Sequence, residues 1–329
     1  MKKIGFTTTI PVEIIFAAGF VPVDLNNVFI TSKSPHMYIS HAEDEGLPRN
    51  SCNWIKGIYS AVMNGAADGV VAVTQGDCSN THALMELFTS SGIKVHSFGY
   101  PFGVSDPHSY LESQMMKLCS ELKTDFEKVK KIVSDIDLVR RKLVILDELT
   151  IETKVSGAEN HLWLVSSTDF NGDYVSFGRK LDRFLSVAKK RTPTNNSVRL
   201  GFIGVPPIFS NIYDFVASKH ADVVYNEVQR HFSIPYFHED YVQRYLDYTY
   251  PYDVFKRIRD IKEQIANRRI HGIIHYVQSF CYRQIQDVII KNQIDVPVIT
   301  IEGDEPGEID ARTKIRIESF IEMLRSKNG

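Results

Sequence analysis

The stretch Gly69-Val70-Val71-Ala72-Val73-Thr74 decides the fold. It is short, uncharged and apolar without alternation, the signature of a strand buried on both faces, as in parallel sheets. Upstream, residues 3–8 read as a strand, 11–18 as a short helix ended by Gly19, 21–25 as a second strand and 49–64 as a helix. Downstream, residues 79–91 read as a helix ended by Gly92, and 93–98 as a further strand. Strands alternating with helices in this order predict a parallel sheet covered by helices on both faces.

Farther along, the pattern changes and then returns. Leu111, Met115, Leu118, Cys119 and Leu122 recur at helical spacing, as do Phe126, Val129, Ile132 and Val133, and helices continue to Lys190. The polar run Arg191-Thr192-Pro193-Thr194-Asn195-Asn196 marks a linker. After it come strands at 198–204, 222–225, 272–277 and 296–301, with helices from about Asn211 and at 252–268, 282–292 and 309–324. The fold class read from this is α/β, with two Rossmann-like lobes of parallel sheet and an inserted helical segment. The boundaries are 1–105 for the N-terminal lobe, 106–196 for the helical segment and linker, and 197–329 for the C-terminal lobe. No repeat stands at solenoid periods, and no low-complexity tract interrupts the chain.

With 43% hydrophobic and 24% charged residues over 329 positions, the composition is that of a globular protein with room for two cores. A net charge of −2 gives no electrostatic footprint for nucleic acid. The clusters Arg140-Arg141-Lys142 and Lys189-Lys190-Arg191 read as solvated helix faces. No apolar segment is long enough to span a membrane. A cytoplasmic location is the expectation, and there four cysteines read as core residues, ligands or reactive thiols rather than disulfides.

Three of those cysteines share one local context. Cys78 follows the buried strand through Gln75-Gly76-Asp77 and precedes a helix, and Cys281 follows a strand through Gln278-Ser279-Phe280 and also precedes a helix. Cys52 stands at the start of the helix that carries Ile55, Ile58 and Val62. Loops after the C-terminal ends of parallel strands face the ligand crevice, and helix N-termini favour thiolate over thiol. Cys119 instead falls on the apolar face of a helix and reads as a small core hydrophobe. The spacings of 26 and 203 residues contain no CxxC pair, so neither a zinc ribbon nor a ferredoxin run is present. Spacing alone leaves core roles, a zinc site and a shared cluster open.

Four stretches carry a resemblance that narrows the choice. Ile10-Pro11-Val12-Glu13-Ile14-Ile15 with Ala17-Ala18-Gly19, Ser51-Cys52 before a helix, Asp77-Cys78, and Gln278-Ser279-Phe280-Cys281 followed by Val298-Ile299-Thr300-Ile301-Glu302-Gly303-Asp304 come in that order. Together with Arg312, Arg316 and Glu318, they make the chain resemble the 2-hydroxyacyl-CoA dehydratase family, related to benzoyl-CoA reductases and double-cubane cluster proteins. The resemblance implies that Cys52, Cys78 and Cys281 are thiolate ligands of a [4Fe–4S] cluster in the cleft between the lobes. The fourth iron is left to substrate, water or a sulfide bridging to a second cubane. It also implies an ATP-hydrolysing Fe–S activator as electron donor, a second family subunit (an identical chain or a paralogue) and an acyl-CoA or small-molecule substrate. In similar proteins the transferred electron forms a ketyl radical on the thioester, which expels the neighbouring hydroxyl. The chain has no P-loop of its own, consistent with an external ATPase. It departs from the family in being shorter than typical dehydratase subunits and in having Tyr282-Arg283 after the third cysteine. Both departures point toward a homodimeric double-cubane-type reductase of a small molecule, and a non-catalytic electron-transfer protein is a further alternative.

Two further residues are candidate catalytic groups. Glu13 lies in the first turn of the first helix, where an acid also suits the helix dipole. Arg283 follows a ligand cysteine at a helix start, where its charge opposes that dipole, so a role near a cluster or anion is expected. His275 reads as a core or crevice histidine. Glu302 and Asp304 end a strand and could face the crevice or cap the last helix. Arg312 and Arg316 could clamp an anion or pair with Glu308 and Glu318 at the surface.

Overall fold

The computed structural model describes residues 1–328, so Gly329, the last residue of the expected C-terminal lobe, lies outside the described residues. The chain divides into two units. The first contains residues 1–142, 165–180 and 232–253, and the second contains 143–164, 181–231 and 254–329. The helical stretch between the two sheets in sequence is therefore shared out between the units, and the aromatic-rich segment 232–253 belongs to the first.

Each unit is built on one four-stranded parallel sheet. In the first, β1 (Lys3–Phe6), β2 (Val21–Asp24), β3 (Gly69–Gln75) and β4 (Lys94–Gly99) lie in the order β2-β1-β3-β4. In the second, β5 (Val198–Gly204), β6 (Ala221–Asn226), β7 (Gly272–Gln278) and β8 (Val298–Gly303) lie in the order β6-β5-β7-β8. Every pairing is parallel. The apolar run of β3 is accounted for by its position: Val70 to Val73 are wholly buried, with neighbours on both edges and helices on the faces. Both units are thus α/β lobes of Rossmann-like construction, and in each the strand order reverses between the first and third strands, the switch point where such sheets bind ligands.

The two sheets match in the register of their central pair, although β3–β4 and β5–β6 each carry an irregularity that the counterpart pairing lacks. Ile4-Gly5-Phe6 of β1 pairs with Gly69, Val70 and Val71 of β3. Leu200-Gly201-Phe202 of β5 pairs in the same register with Gly272, Ile273 and Ile274 of β7. On the other edge Phe6 faces Asp24, as Phe202 faces Asn226. The third strands spell one pattern, Gly-x5-Gln-x2-Cys, as Gly69…Gln75…Cys78 and Gly272…Gln278…Cys281. The two lobes thus repeat one strand plan, with the third strands 203 and the first strands 196 residues apart, far outside solenoid periods.

Several elements differ from their sequence-based bounds for local reasons. The helix expected over 49–64 runs Asn53–Met63, with Cys52 at its N-cap. That expected over 282–292 begins as a 3-10 turn, Tyr282–Ile285, and becomes α-helical over Gln286–Gln293. Helices Leu25–Ile30 and Pro35–Asp44 were not foreseen; the first is capped by the Asp24 side chain, which accepts the Asn26 amide, and the second has Pro35 at its start. The aromatic-rich connection contains the helix Tyr241–Asp247, capped by Asp240 through the Val242 and Gln243 amides. From it Tyr248 packs edge-on against Tyr100 at 5.7 Å, as does Tyr252 at 6.1 Å, which anchors this segment to the first unit.

Candidate cysteine site

Each of the three cysteines begins a helical segment. The carbonyl of Cys52 accepts the amides of Ile55 and Lys56, that of Cys78 accepts Thr81, and that of Cys281 accepts Gln284. The thiols of all three therefore leave the backbone where amide groups and the positive end of the dipole gather. Cys52 is buried, whereas Cys78 and Cys281 are partly exposed. Cys52 and Cys78 border the same apolar cluster in the first unit, formed by Ile55, Tyr59, Leu84 and Phe88 among others. Cys281 belongs to the second unit.

The loops that carry them are tightly specified. After β3 the chain turns at Gly76 (φ +88°), and a Cβ there would stand 2.7 Å from the Pro251 carbonyl, so only glycine fits. After β7 the chain turns one position later, at Phe280, with φ +62° and half its surface in solvent. A positive φ at an aromatic residue is a strained conformation held by its surroundings. Those surroundings are visible: the Ser279 amide donates to Gly303, the Cys281 amide to Gln278, and the Ser279 hydroxyl and Gln284 amide both donate to the Glu302 carboxylate at 2.9 and 3.0 Å. Glu302, exposed at the end of β8, thus braces the loop of Cys281. Ahead of Cys52, buried Lys56 donates to the Arg49 carbonyl and pairs with Glu43, which holds residues 48–51 in place.

Each third strand ends on a glutamine with the same bonds. Gln75 accepts the Tyr110 hydroxyl at 2.7 Å and donates to the Phe102 carbonyl at 3.2 Å. Gln278 accepts the Tyr276 hydroxyl at 2.8 Å and donates to the Asp304 carbonyl at 3.2 Å.

Cys119 behaves oppositely. It lies inside the helix Pro107–Glu121, where burial, with a lesser effect of Asp125, pushes its thiol up to about 11. A thiol held protonated in a helix interior is a poor ligand.

The remaining candidates separate. Glu13 is entirely buried: Arg140 donates to one carboxylate oxygen, and the hydroxyls of Tyr241 and Tyr245 donate to the other at 3.0 and 2.8 Å. Burial would lower the Arg140 pKa, but Glu13 beside it raises it, so the guanidinium stays charged. Arg283 is buried, with its guanidinium carbon 5.0 Å from the Tyr282 ring centre. His275 pairs with Asp287 at 2.7 Å, and burial pushes its pKa down, so the ring is neutral at physiological pH. Arg316 donates to the Thr300 carbonyl, while Glu318 takes Lys219. Among the described residues, no group of three or more His, Cys, Asp or Glu side chains gathers in a metal-binding arrangement.

The sequence comparisons bear on all of this at once. The family model described as "2-hydroxyglutaryl-CoA dehydratase, D-component" matches residues 7–324. The chain belongs to this family. The D-component match takes in all three strand-end and helix-start cysteines, both third strands, and Glu13 and Arg283. No curated protein sequence matches the chain. Among solved structures, the protein FpvC of Pseudomonas aeruginosa, described as an SBP in complex with Mn2+, aligns over 99% of both chains at 12% identity with a TM-score of 0.24, too low for a shared fold to be read from it. As a D-component family member the chain is a dehydratase-type component, and no described helix is long and apolar enough to cross a membrane.

The sequence pattern singles out the three cysteines as candidates but not the two glutamines. The signal was present, since Gln stands three residues before Cys in both strand-end loops. It was hidden because a polar residue at a strand terminus has no periodicity to distinguish it.

Proposed function

We propose that the chain is the cluster-bearing component of a 2-hydroxyacyl-CoA dehydratase, with Cys52, Cys78 and Cys281 as the thiolate ligands of a [4Fe–4S] cluster. The observation that carries this reading is the family match over residues 7–324, which takes in all three cysteines. What supports it is the chemistry of the donors: three soft sulfur ligands, two from the first unit and one from the second, each at a helix start, with the buried Cys119 left aside. When bound, a cluster of this kind supplies single low-potential electrons and one iron open to a substrate oxygen.

The protein's own groups hold and shape the site. Glu302, Ser279 and Gln284 fix the Cys281 loop, and Gly76 lets the Cys78 loop turn beneath Pro251. Arg283 contributes a fixed positive charge two residues after Cys281, suited to a cluster or substrate that carries negative charge. Glu13 serves as a buried structural anchor, since both its oxygens are already engaged. Electrons come from an ATP-hydrolysing Fe–S activator in the cytoplasm, and a second family subunit, identical or paralogous, completes the enzyme.

Anaerobic purification followed by iron, sulfide and zinc analysis tests the cluster. Near four irons and four sulfides per chain are expected for one [4Fe–4S] cluster. A colourless protein with stoichiometric zinc and no sulfide would overturn the proposal. Adding a 2-hydroxyacyl-CoA to the reduced protein should perturb its EPR signal. If only small acceptors do so, the activity is that of a double-cubane-type reductase, and if nothing does, the chain is an electron carrier.

A further inference from the structure

We infer that Gln75 and Gln278 are positioning residues, one in each lobe, that fix the strand-end loops presenting Cys78 and Cys281. The purpose rests on the cluster reading above, while the geometry does not.

Four observations converge. Both glutamines end the third strand of their sheet and stand three residues before the cysteine. Both have as cross-strand partner the glycine that ends the fourth strand, Gln75 with Gly99 and Gln278 with Gly303. Both accept a tyrosine hydroxyl and donate to a backbone carbonyl just beyond that fourth strand. Both glycines leave room for that hydroxyl: a Cβ on Gly99 would stand 2.7 Å from the Tyr110 oxygen, and one on Gly303 2.3 Å from the Tyr276 oxygen.

The tyrosines come from different places. Tyr110 is on the helix Pro107–Glu121, whereas Tyr276 lies on β7 itself, two residues from the glutamine it serves. The two halves therefore share the glutamine, the glycine and the bond pattern, but supply the hydroxyl by separate routes. A brace needed only for the sheet has no reason to be rebuilt this way on the one loop of each lobe that carries a partly exposed cysteine. The amide is suited to the task because it accepts on one side and donates on the other, locking its strand end to the loop beyond the neighbouring strand.

The test uses the full chain carrying Gln75→Leu or Gln278→Leu, purified anaerobically. Bound iron is measured first. The iron is then removed by chelation, and iodoacetamide alkylation rates of Cys52, Cys78 and Cys281 are followed by mass spectrometry. Gln278→Leu should shift the Cys281 rate by about twofold to tenfold, the equivalent of one net hydrogen bond, and leave Cys78 unchanged. Gln75→Leu should do the reverse, and both should lower iron retention. Tyr110→Phe and Tyr276→Phe, which leave the ring in place and remove the hydroxyl bond to the glutamine (and, at Tyr276, also the bond it accepts from the Ile208 amide), should give smaller shifts at the same cysteines and serve if a leucine variant does not fold. A lowered melting temperature with unchanged alkylation rates and iron content would overturn the inference. A wild-type chain without iron or sulfide, whose variants still shift alkylation at the paired cysteine, sinks the cluster reading and leaves the positioning role standing.

Discussion

The Tyr110 hydroxyl occupies the space beside Gly99 that any larger residue would need, 2.7 Å from where a Cβ would stand. Because the same hydroxyl donates to Gln75, the clash cannot be relieved without releasing that bond. Gly99→Ala should therefore destabilise the protein by about 1–3 kcal/mol, the usual cost of overpacking. Adding Tyr110→Phe should recover part of the loss, since removing the oxygen opens the space. Urea denaturation of the two single variants and the double variant measures the coupling, and strict additivity would count against the steric account.

Replacing Cys52, Cys78 or Cys281 by serine should lower iron per chain, while Cys119→Ser should leave it unchanged. The Cys119 thiol is buried and held protonated, so its loss is a packing change alone. Iron and sulfide analysis of the four variants decides the ligand set, and loss of iron on Cys119→Ser would remove the present assignment.

The Glu13–Arg140 pair is fully buried and should be expensive to break from one side. Glu13→Leu leaves a buried guanidinium uncompensated and should cost about 3–5 kcal/mol. Glu13→Leu with Arg140→Met should cost clearly less, because neither charge then remains to be buried alone. Equilibrium unfolding of the single and double variants provides the comparison. A single variant of near wild-type stability would show that Glu13 is held for a purpose other than structure.

A pair of buried carboxyls, Asp24 and Asp169, makes stability depend on pH. Burial, and secondarily the nearby Asp24 carboxylate, push Asp169 up to about 7, well above the usual carboxylate range. The native state therefore favours the protonated form. Its contribution is fully present below the unfolded pKa and declines as pH rises from about 4 to about 7, levelling off above that. The melting temperature should carry this falling component across that window. Asp169→Asn, which cannot ionise, should flatten the slope, even though it also loses one of the acceptors for Asp24 and Asn171 and so melts lower at pH near 5.

Much of the fold was legible in the chain because parallel sheets announce themselves through unbroken apolar strands such as Val70–Val73. Both sheets, their parallel sense and the helical positions of Cys52, Cys78 and Cys281 follow from such runs. The helices Leu25–Ile30 and Tyr241–Asp247 escaped because they are too short to show a period, and their aspartate caps, Asp24 and Asp240, were the available signal. Glu13 was visible only as an acid in a first helical turn. Its true partners are Arg140, Tyr241 and Tyr245, more than a hundred residues away in the chain, and no local pattern encodes that. Glu302 was seen as a strand-end acid, but its task of holding Ser279 and Gln284 is a property of the folded loop.

A strand plan used twice supplies its working residues in pairs, yet the proposed ligand set is odd. Cys78 and Cys281 are counterparts, but Cys52 has no sulfur twin. It stands immediately before the helix that leads into β3, and the corresponding residue before the helix leading into β7 is Asp253. On the proposed reading, the vacant coordination position of the cluster and the missing fourth cysteine are one fact. If that reading holds, the asymmetry between the two lobes is what leaves one iron free to meet a substrate.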